Sequence, residues 1–234
     1  MNNNKSSNFL HIKNIFESIS SEYDFMNDLM TFKNHSKWKK EIAEIAKYSS
    51  PKKILDVATG TGDIAINLSK IKGSKIEGVD VSGNMLKIAR KKIDELKIDN
   101  IVLKTCEAEN LVFEDNHFDI VSIGYGVRNF SNLEKGLSES YRVLKKDGKL
   151  IILETSIPEN LMIRFMYSII TSIYIPLIAF IFSGKTKAYL YLLDSTKKFP
   201  PKKKFIEMLY RSGFEKVETR KKLYGASTIY IISK

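Results

Sequence analysis

From residue 52 onward, short apolar runs alternate with stretches in which apolar side chains recur every three or four positions. The runs cover 54–57, 75–79, 101–103, 118–123 and 150–153, and the helical spacing falls on 63–71, 84–97 and 133–144. Strict alternation of this kind predicts an α/β fold, because parallel strands need a crossover and a helix is the usual one. Residues up to about 50 predict helices and no strand, with Trp38, Ile42, Ile45 and Ala46 on one face. Beyond Glu154 the alternation breaks. Residues 165–184 carry no charge, hold Pro176 near their middle, and suit a broken helical pair better than one straight helix. A helix at 202–211 and β-like runs at 215–219 and 228–232 follow, the last two expected as an antiparallel pair at a sheet edge. The expectation is therefore one domain with a doubly wound, mainly parallel seven-stranded sheet. Its parts are an N-terminal helical cap (1–50), a core of alternating strands and helices (51–156), an apolar insert (157–200) and a C-terminal helix with a strand pair (201–234).

The 234 residues are 43% hydrophobic, which supplies a continuous core and excludes a disordered chain. One cysteine excludes a disulfide scaffold. It fits a reducing cytoplasm, and the opening residues predict no secretory signal. The net charge of +11 changes the picture less than its size implies. Only six of the 38 cations are arginine, and nucleic-acid recognition favours the forked guanidinium, so no nucleic-acid partner is expected.

The densest chemistry lies in Asp56-Val57-Ala58-Thr59-Gly60-Thr61-Gly62-Asp63, a strand running into a glycine turn that opens a helix. Gly60 lets the backbone reverse, and Gly62 removes a Cβ where a ligand would approach. Asp80 ends the next strand, where a carboxylate accepts from ribose hydroxyls in NAD and S-adenosylmethionine enzymes alike. Asp56 discriminates between them: a carboxylate there repels a pyrophosphate and suits an ammonium and a sulfonium. The third and fourth strands end at Cys106-Glu107-Ala108 and Gly124-Tyr125-Gly126, in the crevice where doubly wound sheets bind ligands. Glu107 is placed to accept from an adenine amino group and Ala108 to offer its N–H. No metal site is expected.

These residues carry a resemblance. Tyr23-Asp24-Phe25-Met26-Asn27 with His35 and Trp38, the glycine turn with Gly78-Val79-Asp80-Val81-Ser82, Gly126-Val127-Arg128-Asn129, and Arg142-Val143-Leu144-Lys145 leading to Glu154-Thr155-Ser156 together resemble one family. It is that of the ubiquinone and menaquinone biosynthesis C-methyltransferases, class I S-adenosylmethionine-dependent enzymes. The segment Tyr191 to Ser195 adds to the likeness, which runs from about residue 15 to 227. It implies S-adenosylmethionine as cofactor, with Thr61, Asp80, Glu107 and Ala108 on contact positions. Glu107 stands where the family has Asp or Asn, and Gly124 where some relatives have Ser.

The implied reaction is methylation of a ring carbon in a polyprenylated hydroquinone, most simply the menaquinone precursor, with the ubiquinone precursor as the alternative acceptor. An NAD-dependent oxidoreductase and an RNA-modifying enzyme are the competing readings. A phenol titrates near 10 and its ring carbon is a weak nucleophile until the proton leaves, so the enzyme must stabilise a phenolate. Arg128 is expected to do so, with Asn129 orienting; Tyr23, Asp24 and His35 compete for the proton. The insert is expected to receive the prenyl tail as an interfacial lid. Lys37, Lys39, Lys40, Lys185 and Lys187 would favour peripheral docking on the inner, anionic face of a membrane. A homodimer is left open.

Overall fold

A computed structural model describes the backbone of residues 2–234 and the side chains of residues 10–234. Seven strands form one sheet: β1 (Lys53–Val57), β2 (Lys75–Asp80), β3 (Ile101–Thr105), β4 (Phe118–Gly124), β5 (Leu144–Thr155), β6 (Lys216–Lys222) and β7 (Ser227–Ser233). Their order is β3-β2-β1-β4-β5-β7-β6. Neighbours from β3 to β5 pair in parallel, and β7 runs antiparallel to both β5 and β6. The mainly parallel seven-stranded sheet is therefore as the alternation predicts, and β6 is one of its two edges, β3 the other.

Successive side chains on a strand point to opposite faces, and both faces here are apolar because helices cover each. Leu55, Val121, Leu150 and Ile152 pack on one side with α6 (Leu133–Val143) and α10 (Lys202–Arg211), through Leu137, Phe205 and Leu209. Ile54, Ile120, Ile151 and Leu153 pack on the other with α3 (Asn34–Lys47) and α4 (Asp63–Leu68), through Ile42, Ala46 and Ile64. The helix α4 ends at Leu68, short of the predicted residue 71. Helix α5 (Gly83–Glu95) starts from Ser82, whose hydroxyl accepts from the Met85 N–H as an N-cap.

The N-terminal segment forms α1 (Asn2–Ile19) and α2 (Tyr23–Thr31), laid across the carboxyl ends of the strands. The apolar insert corrects the expectation of a broken pair. It is one continuous helix from Leu161 to Phe182, made of α7 (Leu161–Ile169), a π turn (Ile170–Tyr174) and α8 (Ile175–Phe182). The Ile175 N–H reaches back five residues to the Ile170 carbonyl. The wider turn makes room for Pro176, which has no N–H to give and would crowd an α-helical carbonyl, so the helix continues instead of ending. One face of it, Ile178 and Ala179, packs with Met26 of α2 and with Tyr189 and Leu192 of α9 (Thr186–Lys198). Cap and insert thus share a core.

Candidate active site

The turn after β1 is held by buried polar groups. Asp56 is 1% exposed and accepts from Thr59 Oγ1 at 2.7 Å and Ser122 Oγ at 2.6 Å. Burial pushes its carboxyl up to about 6, against those two hydroxyls and the field of Lys39. It braces the turn and is not among the residues that line the adjoining cavity, so the contacts it makes in this structure are with the protein's own hydroxyls. The role expected of Gly62 is corrected. Its φ of 85° needs glycine, but a Cβ there would meet Ala89 of α5 at 3.0 Å, so the missing side chain serves helix packing.

Thr61 is likewise absent from the cavity wall. Its hydroxyl donates to Asp24 of α2 at 2.7 Å. Asp24 also accepts from Lys92 at 2.6 Å, Lys92 bonds Asp63 at 2.8 Å, and Lys39 bonds the other oxygen of Asp63 at 2.8 Å. This chain of charges ties the cap to the glycine turn and to α5. It also holds both oxygens of Asp24, one to Thr61 and one to Lys92.

The cavity itself lies where the crevice is expected. Ala58, Gly60, Asp80, Ala108, Gly124 and Asn129 line it, and Ile12, Phe16 and Tyr23 of the cap cover it. Gly60 has φ 57° and nothing within 4 Å of where a Cβ would stand, so the backbone is bare toward the ligand. Asp80 accepts from the Gly60 N–H and the Ser82 N–H, each at 2.8 Å, one per oxygen, which leaves lone pairs for two ribose hydroxyls. Burial raises its pKa, and those N–H groups oppose the rise. A Cβ at Gly124 would meet the tip of the Ile64 side chain, which would have to turn aside. Glu107 is exposed and outside the wall; its neighbours Cys106, Ala108 and Glu109 line the cavity instead. Glu109 holds Ser131 Oγ at 2.8 Å and the Asn132 N–H at 3.1 Å, closing the mouth. Bare backbone at a helix start, a carboxylate with free lone pairs and an apolar wall fit an adenosine bearing a compact chain.

A second cavity adjoins the first through Tyr23 and Tyr125, which line both. Its other walls include Phe32, His35, Arg128, Tyr167, Ile175 and Leu192. The short helical turn after β4 splits the neighbours Arg128 and Asn129: Asn129 faces the first cavity and Arg128 the second. Arg128 Nη1 bonds Glu154 at 2.6 Å and the Tyr125 carbonyl at 2.9 Å, while Nε bonds Ser195 Oγ at 3.2 Å. Nη2 bonds nothing among the described residues and is the donor left for a ligand. Burial opposes the charge, but Glu154 holds the guanidinium above its ordinary pKa.

His35 is 3% exposed, with Nε2 2.8 Å from Asp28 and Nδ1 without a partner. Burial and then Lys39 lower its pKa from 6.5, against the pull of Asp28, so the ring is neutral at pH 7. Glu109 was not singled out by sequence reasoning, and Tyr125 and Glu154 stood in its motifs without a role. The one signal for Tyr125 was its place between two glycines; it sits at φ 57°, a conformation the strand's end imposes.

The whole chain, residues 1–234, matches the model of the ubiE/COQ5 methyltransferase family. A demethylmenaquinone methyltransferase of Chlorobaculum tepidum is 39% identical over 227 residues, covering 95% of this chain and 92% of that one. Another of the same name, from Oceanobacillus iheyensis, is 36% identical over 222 residues, covering 94% and 93%. Among solved structures, a SAM-dependent methyltransferase of Thermotoga maritima matches 96% of this chain and 100% of its own, at 21% identity and a TM-score of 0.63. That likeness is one of fold.

Proposed function

The chain belongs to the ubiE/COQ5 family of S-adenosylmethionine-dependent methyltransferases, and from that premise we propose that it methylates a ring carbon of a polyprenylated hydroquinone, demethylmenaquinone in its reduced form. The observation that carries this reading is the second cavity: apolar and aromatic, parted from the cofactor cavity by two tyrosines, with one buried cation offering a free N–H.

S-adenosylmethionine supplies an electrophilic methyl group whose leaving group is a neutral thioether. The residues supply the rest. Asp80 and the bare backbone at Gly60 hold the nucleoside, and Asn129 helps frame that cavity. Arg128 Nη2 donates to the acceptor's ring oxygen and favours its anion, which pushes electron density onto the adjacent carbon. The burial of Arg128 among apolar walls strengthens that interaction, because the low local dielectric weakens it little. His35, neutral and oriented by Asp28, takes the phenolic proton, and Tyr23 helps align the ring between the cavities.

The acceptor is dissolved in lipid, and we place the enzyme at the inner face of the membrane as a peripheral protein. Support comes from the outer side of the helix Leu161–Phe182, where Leu161, Met162, Phe165, Ile173, Phe180 and Ile181 are all more than half exposed, next to Phe25 and Phe32 of the cap. The helix is long and apolar enough to span a bilayer, with mean hydropathy 2.0. Its other face is part of the cap core, however, so lying in the interface fits and crossing does not. Two of the lysines assigned to docking are corrected: Lys39 is buried on Asp63, and Lys185 is paired with Glu22 at 2.8 Å.

The test is incubation with methyl-labelled S-adenosylmethionine and short-chain reduced analogues of both quinone precursors, followed by location of the label by mass spectrometry. Label on the ring carbon of the naphthoquinol is expected. Label only on the benzoquinol would move the assignment to the ubiquinone precursor, and label on neither would refute the reading.

A further inference from the structure

A third cavity, of 620 Å³, opens between the start of α7, the end of α9, the start of α10 and strand β6. Five cations converge on it: Arg164, Lys197, Lys202, Lys203 and Lys221. Its wall holds a single acid, Glu159, already taken by Lys221 at 2.7 Å. Among the described residues, Arg164, Lys197, Lys202 and Lys203 have no carboxylate partner. Like charges gathered around one recess repel each other, and an anion placed among them relieves that repulsion.

Two further observations say which anion. The recess shares Thr155 and Thr196 with the acceptor cavity, so the two adjoin. Apolar side chains stand near it on the helix that carries Arg164: Leu161 and Met162, 77% and 78% exposed, and Phe165, 65% exposed. Basic charge beside solvent-facing apolar side chains matches the boundary of an anionic bilayer, where phosphate and acyl chain lie a few ångströms apart. A nucleic acid would use the charge and leave those apolar side chains bare.

We propose that this recess binds the phosphate of an anionic phospholipid headgroup, with Leu161, Met162 and Phe165 in the acyl layer, and so sets the adjoining acceptor cavity beside the membrane. The proposal rests on the reading of a lipid-dissolved acceptor and names the partner and orientation that reading lacks.

The experiment is co-sedimentation of the full chain with vesicles of phosphatidylcholine alone and with added phosphatidylglycerol. It compares the wild type, the triple variant Lys197→Gln/Lys202→Gln/Lys203→Gln, and a control in which the exposed Lys47, Lys70 and Lys72, none of them assigned to docking, are changed to Gln. At about fivefold per lysine near a charged surface, the recess variant should lose on the order of a hundredfold in binding to the anionic vesicles, and the control much less. Binding of the recess variant to neutral vesicles and its turnover of a water-soluble short-chain acceptor should match the wild type. Equal losses in recess variant and control would overturn the proposal by reducing it to net charge, and an unaltered recess variant would overturn it while leaving membrane docking intact. Wild type that ignores both vesicles would refute docking and recess together, with short-chain turnover still reporting on the chemistry. Retention on RNA without vesicle preference would reassign the recess to nucleic acid.

Discussion

A guanidinium buried against one carboxylate has two jobs at Arg128, and a variant separates them. Glu154 is fully buried and leans on Arg128 for its charge balance. Arg128→Ala should therefore cost about 3–5 kcal/mol of folding stability, the penalty for stranding a buried ion, as well as on the order of a hundredfold in turnover. Adding Glu154→Gln to Arg128→Ala should restore most of the stability and none of the turnover. Denaturant unfolding beside single-turnover assays reads both, and a double variant that regains activity would remove Arg128 from the chemistry. The same scale shows where sequence reasoning stopped. Asp56, Thr61 and Gly62 sit in the expected turn, yet each serves the protein itself: Asp56 bonds Ser122 and Thr59, Thr61 bonds Asp24, and the bare Gly62 makes room for Ala89. Spacing along the chain places a residue at the turn. Which way its side chain points depends on neighbours up to 66 positions away, such as Ser122 beside Asp56.

Among the elements, the helix Leu161–Phe182 departs furthest from expectation. Proline in an apolar run reads as a break, and the break is replaced by a five-residue π turn that shifts which residues face inward after it. Ile175, Ile178 and Ala179 go inward, while Phe180 and Ile181 go out. Neighbouring positions should then respond in opposite ways. Ala179→Leu should cost about 1–3 kcal/mol by overfilling the space against α9. Phe180→Ser should leave folding stability within ~0.5 kcal/mol, as exposed substitutions do. It should weaken vesicle binding by roughly tenfold or more, the worth of one buried phenyl ring. Thermal unfolding and flotation check the pair, and a reversed result would mean that the helix presents its other face. Apolar content alone could not assign the faces, because here both are greasy and only one has a partner.

At the scale of the molecule, the cap and the sheet close on one cavity from opposite sides. Ile12, Phe16 and Tyr23 cover it, and Asp24 ties the cap to the glycine turn through Thr61 and to α5 through Lys92. A ligand that fills the cavity should therefore steady the cap as well as the core. S-adenosylhomocysteine at a hundred times its dissociation constant should raise stability by about 2.7 kcal/mol, and hydrogen exchange should slow in α1 and α2 as well as around Gly60 and Asp80. NADH should do neither; protection by the dinucleotide and none by the thioether would contradict the assignment of the cavity.

Alternation of runs and helical spacing was enough, without any structure, for the sheet, its parallel pairing and the reversed last strands, because each depends on periodicities of two and 3.6 that local sequence carries. The glycine turn and Asp80 were legible for the same reason: a backbone reversal and a strand-end carboxylate are local facts. Only the folded chain decided that Arg128 pairs with Glu154 and keeps one nitrogen free, that Asp24 holds the cap, that Glu107 faces solvent, and that five cations meet in one recess. Those outcomes join residues from separate elements, and burial, not sequence distance, determines whether a charge meets a partner, a ligand or water.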